Sequence, residues 1–211
     1  QYYALVNDQL ESTAQAEIKE KYKVNPALNK NVLAFSSTGY SPDQPPELQS
    51  ARRMLLAITK TKTLEKLDLK NLPKELFTNE TKFKILIEGV KGQENRFELA
   101  AKVAEQVYQN LKPVNPKLEL KKPDWLIIVF YNGEDYFIGI GKQLQELNIR
   151  PYRVFPHSAS FRGDLAFHLV KSSGYVSGQK LLIGFCKDGI LAMEASRYSN
   201  ERVYAFDEST M

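Results

Sequence analysis

The chain has 211 residues, of which 43% are apolar, 26% charged and 11% aromatic, with a formal net charge of +4; this composition suits one large domain or two small ones and excludes a disordered, collagenous or coiled-coil chain. Its longest apolar run, 125–131, falls far short of the roughly 20 residues a membrane-spanning helix needs, and the N-terminus lacks the charged-then-apolar layout of a signal peptide. A single cysteine, Cys186, excludes an internal disulfide and a four-cysteine zinc site, so a reducing, cytoplasmic compartment is expected.

The charge is unevenly spread. Residues 1–50 carry a net −2, residues 51–150 a net +5 and residues 151–211 a net +1. A central positive excess suits a polyanionic partner, although the same excess is common on solvated surfaces.

Tyr2-Tyr3-Ala4-Leu5-Val6 reads as a strand, and Leu10, Ala14, Ile18 and Tyr22 recur at helical spacing after it. Residues 31–36 form a second strand. Pro42, Pro45 and Pro46 make a loop, because they remove ladder donors and fix the backbone. Helical composition then covers 47–57, overlapped by a β-capable piece at 54–59, and residues 65–76 show another helical pattern broken at Pro73. Phe83, Ile85 and Ile87 alternate with Lys84, Leu86 and Glu88 in a half-buried strand ending at Gly89. Residues 96–111 place Phe97, Ala100, Ala101, Ala104, Val107, Tyr108 and Leu111 on one helical face, with Asn95 as N-cap and Glu98 completing a capping box. Residues 118–120 are extended, and 125–131, apolar on both faces, form a central strand. Asn132-Gly133-Glu134-Asp135 turns the chain into an antiparallel return over 136–140. The last part predicts a helix over 160–173, a strand over 180–186, a glycine turn at Asp188-Gly189, a helix over 190–198 and a strand over 202–207, a βαβ unit.

Lys84, Lys91, Arg96, Lys102, Lys112, Lys117, Lys121, Lys122, Lys142 and Arg150 could neutralise phosphates around the helix start near Asn95, where free amides favour anions. Taken singly, each lysine is more often a solvated surface residue. Arg96 and Arg150 are the stronger candidates, because a guanidinium clamps a phosphate bidentately. Trp125 and Phe130 could stack on bases, but a run this apolar is usually core. His157 and His168 are too few and too separated for a metal site. Cys186, flanked by apolar residues, reads as a small buried hydrophobe rather than a nucleophile.

Phe83-Lys84-Ile85-Leu86-Ile87, Arg96–Val103, Leu118–Trp125 and Tyr136–Ile140 resemble the successive elements of a THUMP domain. Residues 1–50 resemble the ferredoxin-like half that accompanies THUMP in tRNA-modifying enzymes. Arg150-Pro151-Tyr152-Arg153 through Pro156-His157-Ser158-Ala159, with Leu181–Ala195, is similar to the start of the methyltransferase domain in archaeal-looking THUMP-containing tRNA guanine-N2-methyltransferases. The resemblance implies an α+β chain in three parts: an N-terminal ferredoxin-like subdomain over 1–75, a THUMP domain over 76–148, and a linker with an incomplete Rossmann-like βαβ methyltransferase fragment over 149–211.

It also implies a grip on the acceptor end of tRNA, with Arg153 joining the cations above. The family's first methyltransferase strand ends in an Asp-Pro-x-Cys-Gly-Ser-Gly-like turn that approaches S-adenosylmethionine. Here Ile183, Gly184 and Lys187 replace the acid, the proline and a glycine. Gly184, Gly189 and Asp207 are what remains of a cofactor site, Asp207 matching the acid that meets the ribose hydroxyls. Two strands of about seven are encoded and the family's Asn/Asp-Pro-Pro-Tyr-type motif has no counterpart, so the chain is expected neither to methylate nor to hold S-adenosylmethionine alone. Three readings follow from the resemblance: a tRNA-binding module, one part of a methyltransferase that a partner chain completes, or a tRNA adaptor for another modifying enzyme. In each, residues 151–211 are expected to pack on the THUMP body, a second copy or a partner, because Leu181, Leu182, Ile183, Phe185, Val203, Tyr204 and Phe206 are too apolar to be solvated.

Overall fold

A computed structural model of the chain describes residues 1–142, 146–154, 158–199 and 201–208. Its first part runs β1 (Tyr2–Leu5), α1 (Glu11–Tyr22), β2 (Ala27–Asn29), β3 (Val32–Phe35) and β4 (Arg53–Thr61). The second runs β5 (Lys82–Glu88), α2 (Gln93–Leu111), β6 (Lys117–Leu118), β7 (Trp125–Tyr131) and β8 (Tyr136–Gly141). All eight strands form one sheet in the order β2-β3-β1-β4-β8-β7-β5-β6, so the ferredoxin-like and THUMP parts are joined through the antiparallel β4–β8 ladder.

Cross-strand partners point to the same side of a sheet. Tyr2, Leu56 and Ile140 are such partners, as are Ile140, Ile127 and Ile85. α1 packs over Tyr2, Ala4, Leu33, Phe35 and Met54, and α2 over Phe83, Ile85, Ile87, Ile127 and Val129, so both helices share this face. The opposite face buries Tyr3, Leu5, Val32, Leu55, Leu126, Ile128, Phe130 and Phe137 in a cluster of their own. Arg52 lies over the Phe130 ring and Lys60 over the Phe137 ring, at 5.6 and 5.4 Å.

The third part is α3 (Gly163–Ser172), β9 (Leu181–Gly184), α4 (Ile190–Tyr198) and β10 (Val203–Phe206). β9 and β10 pair in parallel across α4, in the register Leu181 with Val203 to Gly184 with Phe206. This is the Rossmann-like βαβ unit of an α+β chain. It docks on the ferredoxin-like part: Thr13 Oγ1 lies 2.6 Å from His168 Nδ1, Asn7 Nδ2 donates to the buried Asp164, and Lys171 pairs with Glu20 at 3.1 Å.

Several local expectations are corrected. Residues 47–57 are not a helix: 47–52 is a loop whose Gln49 and Ser50 amides and Ser50 hydroxyl all donate to the buried Glu17 carboxylate, and β4 starts at Arg53. Residues 65–73 are irregular and only Lys74–Leu76 make a single 3-10 turn. There Leu64, Leu69, Leu72 and Phe77 reach the α2 core without a helix, because the Gln106 side chain supplies partners to the Leu67 amide and the Leu64 carbonyl. α2 starts three residues earlier than expected, with Gly92 as its N-cap at φ 85° and Asn95 inside the first turn. Phe97 stands 78% exposed, and the buried stripe is Val103, Ala104, Val107 and Leu111. Finally, the third part leans on the ferredoxin-like part rather than on the THUMP body. Leu181, Ile183 and Val203 are covered within the third part itself, against Val170, Tyr175 and Ala195, whereas Leu182, Phe185, Tyr204 and Phe206 are 48 to 69% exposed.

Candidate nucleic-acid interface

The expected phosphate-binding residues fall at four places rather than one. At the outer edge of the sheet, β6 pairs in parallel with β5 and sets Lys82 beside Lys117. Lys84 Nζ donates to the Leu120 carbonyl at 3.1 Å, one residue before Lys121, so Lys84, Lys121 and Lys122 converge, the last two exposed. Acids here are already engaged. Lys117 meets Glu80 at 2.8 Å and holds its carboxyl below the usual range, and the Lys121 amide does the same for Glu119. Leu118 and Leu120 are 50 and 70% exposed on the same edge.

Lys91, Arg96 and Lys102 ride on and before α2. Arg96 Nε turns back to the Gly92 carbonyl at 3.3 Å, and Lys102 pairs with Glu98 one turn earlier at 3.1 Å, which leaves Glu98 outside the expected capping box. Lys142 follows β8, 5.0 Å above the buried Trp125 ring and 3.9 Å from Asp43. Phe130 is buried as well.

Arg150 is a correction. It is 8% exposed, and all three guanidinium nitrogens face inward: Nε to Glu194 at 2.6 Å, and the terminal nitrogens to the Leu147 and Gln49 carbonyls at 2.8 and 2.6 Å. It ties the linker to α4 and offers nothing to a phosphate. Arg153 turns inward too, toward Asp188. His157, part of the linker motif, lies outside the described residues.

Between β9 and α4 the turn 185–189 takes left-handed φ values at Phe185 (54°), Lys187 (49°) and Gly189 (76°), so glycine serves one of three positions that disfavour side chains. Gly184 abuts the Phe206 ring, 3.0 Å from where a Cβ would stand. Asp207, just past β10, accepts a hydrogen bond from the Lys187 amide at 2.8 Å, and the Asp188 carboxylate is buried against Arg153. Among the described residues no group of His, Cys, Asp and Glu could hold a metal ion, and no helix is long and apolar enough to cross a membrane.

A groove that sequence reasoning missed lies where the three parts meet. A cavity of about 700 Å³ is lined by the end of α1, the loop before β4, the linker and α4. Arg197 of α4 sits there 5.2 Å over the Tyr152 ring. The Tyr152 hydroxyl donates to the buried Glu194, and burial first, then that carboxylate, pushes the phenol above its usual range.

The THUMP domain model matches residues 62–140. The chain carries a THUMP domain. The matched span starts directly after β4, takes in the irregular segment before β5, and then holds β5, α2, β6, β7 and most of β8. Solved structures extend the likeness to the whole chain. TrmN from Thermus thermophilus matches with a TM-score of 0.70 at 20% identity, covering 99% of this chain and 65% of that one. An N6-adenine-specific DNA methylase predicted in Listeria monocytogenes matches at 0.71 and 16%, covering 93% and 54%. SMU.472, solved with SAH, matches at 0.68 and 14%, covering 92% and 54%. These likenesses show a shared fold, and the chain spans between about half and two thirds of the length of the structures it matches.

Proposed function

We propose that this chain is a tRNA-binding protein related to THUMP-containing tRNA guanine-N2-methyltransferases, gripping the acceptor end with its THUMP part and unable to methylate by itself. The observation that carries the reading is the THUMP match at 62–140 together with the lysine edge that lies inside it, where Lys84 converges with the exposed Lys121 and Lys122. Phosphate contacts of this kind position an RNA without reading its sequence.

S-adenosylmethionine does not fit the turn as this chain builds it. Lys187 puts a side chain, at a left-handed φ of 49°, where the family resemblance has a glycine, Asp188 adds another beside it, and the Asp207 carboxylate is turned to the Lys187 amide. No chemical step is assigned to the chain alone. One feature favours a completed methyltransferase as the second reading: the exposed Leu182, Tyr204 and Phe206 lie on a two-stranded parallel sheet, which is marginal without neighbours. In that reading further strands supplied by another chain cover the face and restore a cofactor site.

Titration of a labelled tRNA across a salt series tests the proposal. Affinity should fall steeply with salt, and K121A/K122A should weaken binding to tRNA and reduce the slope of log K against log salt by about 2, one per lost phosphate contact. Equal affinity for tRNA and for a duplex of equal charge would overturn it. Calorimetry of S-adenosylmethionine against the chain should show no heat, and measurable heat would restore the enzyme reading.

A further inference from the structure

The cavity under Arg197 continues into a second one of about 610 Å³, with which it shares Lys21, Glu47 and Leu147. The result is one groove running from α4, past the C-terminal end of α1, to the proline-rich loop. Its walls present flat surfaces at both ends. At one end Arg197 lies over Tyr152, whose hydroxyl is fixed on the fully buried Glu194. At the other, Tyr40 is 41% exposed and braced edge-on by Tyr22, with ring centroids 5.8 Å apart at 84°. Between them Lys21 is anchored through Nζ on the Glu47 carbonyl at 2.7 Å, and the Tyr22 hydroxyl holds the same carbonyl at 2.9 Å.

The charges nearly cancel. Lys21 and Arg197 face Asp43 and Glu47, whereas Arg150 and Glu146 are neutralised within the wall by Glu194 and Arg52. A duplex is drawn by its dense phosphates and hides its base faces in its own stack, so a near-neutral groove with aromatic and guanidinium planes does not suit it. A single strand presents base faces that stack on aromatic rings and on arginine planes. Because Tyr152, Tyr22 and Lys21 are already held by hydrogen bonds, little ordering remains to be done on binding.

We propose that this groove takes an unpaired RNA segment, with one base stacked on the Arg197–Tyr152 pair, another on Tyr40, and the intervening phosphate beside Lys21. The inference deepens the RNA-binding reading and rests on it. It adds a base-stacking subsite, on a different part of the molecule from the basic edge, that prefers single strands.

Fluorescence anisotropy of the full chain with a labelled unpaired 12-mer and with a hairpin of equal phosphate count separates the two ideas. R197A, at an exposed position and checked by its unfolding temperature, should weaken the 12-mer about tenfold and the hairpin little, with the salt slope changed by no more than about one contact. R197K, which keeps the charge and loses the plane, should resemble R197A, and Y40A should show a smaller loss of the same kind. Unchanged 12-mer affinity in R197A, equal losses on both RNAs, or full recovery in R197K would each overturn the subsite while leaving the basic-edge grip standing. Wild-type chain that binds neither RNA would instead overturn the RNA reading, and the subsite with it.

Discussion

Asp135 shows how one side chain fixes the hairpin between β7 and β8. It is buried at the turn, accepting from Lys62 Nζ at 2.7 Å, Lys60 Nζ at 3.0 Å and Asn29 Nδ2 at 3.0 Å, and so ties the turn to β4 and β2. The Lys62 contact first, then Lys60, lowers its carboxyl from the ordinary 3.8 to about 2. A depressed folded pKa gives stability that is complete above the ordinary value and disappears as pH falls through the folded one. Urea midpoints should therefore drop between about pH 4 and pH 2 in the wild type. D135N should be less stable at neutral pH and lack that part of the acid loss, and an unchanged acid slope would show that the carboxylate contributes nothing. The sequence marks Asp135 as a turn residue and no more, since its partners are residues 73 to 106 positions away. Arg150 has the same character. A surface cation and a buried tie look alike until Glu194, 44 residues on, is placed against it.

At the scale of elements, strict alternation and apolar runs are the signals that hold. Phe83, Ile85 and Ile87 form a strand half-buried as expected, residues 125–131 lie inside the sheet, and the βαβ unit at 181–206 keeps its order. Segments whose backbone is satisfied from afar were not legible: residues 47–52 depend on the Glu17 carboxylate and residues 64–67 on Gln106, so local helical composition decided nothing there. The candidate site divides the same way. Lysines on an edge can be read from charge, whereas the groove draws Lys21, Tyr40, Tyr152 and Arg197 from four distant segments and leaves no local pattern. One element carries a sharp packing test. Gly139 in β8 faces β4 so closely that a Cβ would stand 2.7 Å from Leu55 Cβ and 2.9 Å from the Leu56 carbonyl oxygen. G139A should cost about 1 to 3 kcal/mol in denaturant unfolding, because the obstacle is a paired strand and not a mobile side-chain end. A loss below a few tenths would mean that the β4–β8 ladder is looser than described.

For the molecule as a whole, the third part is held by buried polar ties more than by a wide apolar seam. Arg150 and Glu194 are 8 and 0% exposed in side chain, and Gln49 and Tyr152 complete the group. Removing one member of a buried ion pair strands the other charge, so R150M should destabilise by about 3 to 5 kcal/mol, and R150M/E194Q should regain part of it. Thermal unfolding of the two variants checks this, and a double variant no better than R150M would remove the pair as the main tie.

The β4–β8 ladder has a consequence of another kind. Five residue pairs, from Leu56 with Ile140 to Thr61 with Tyr136, splice two subdomains into a single sheet. No hinge can open between them without breaking strand pairing, so the span from the lysine edge beyond β5 to the far side of α1 is constant. An RNA held at both proposed sites would be measured against that span. Its own bends and unpaired stretches would then have to meet the protein's length, and the sheet would act as a gauge for RNA shape.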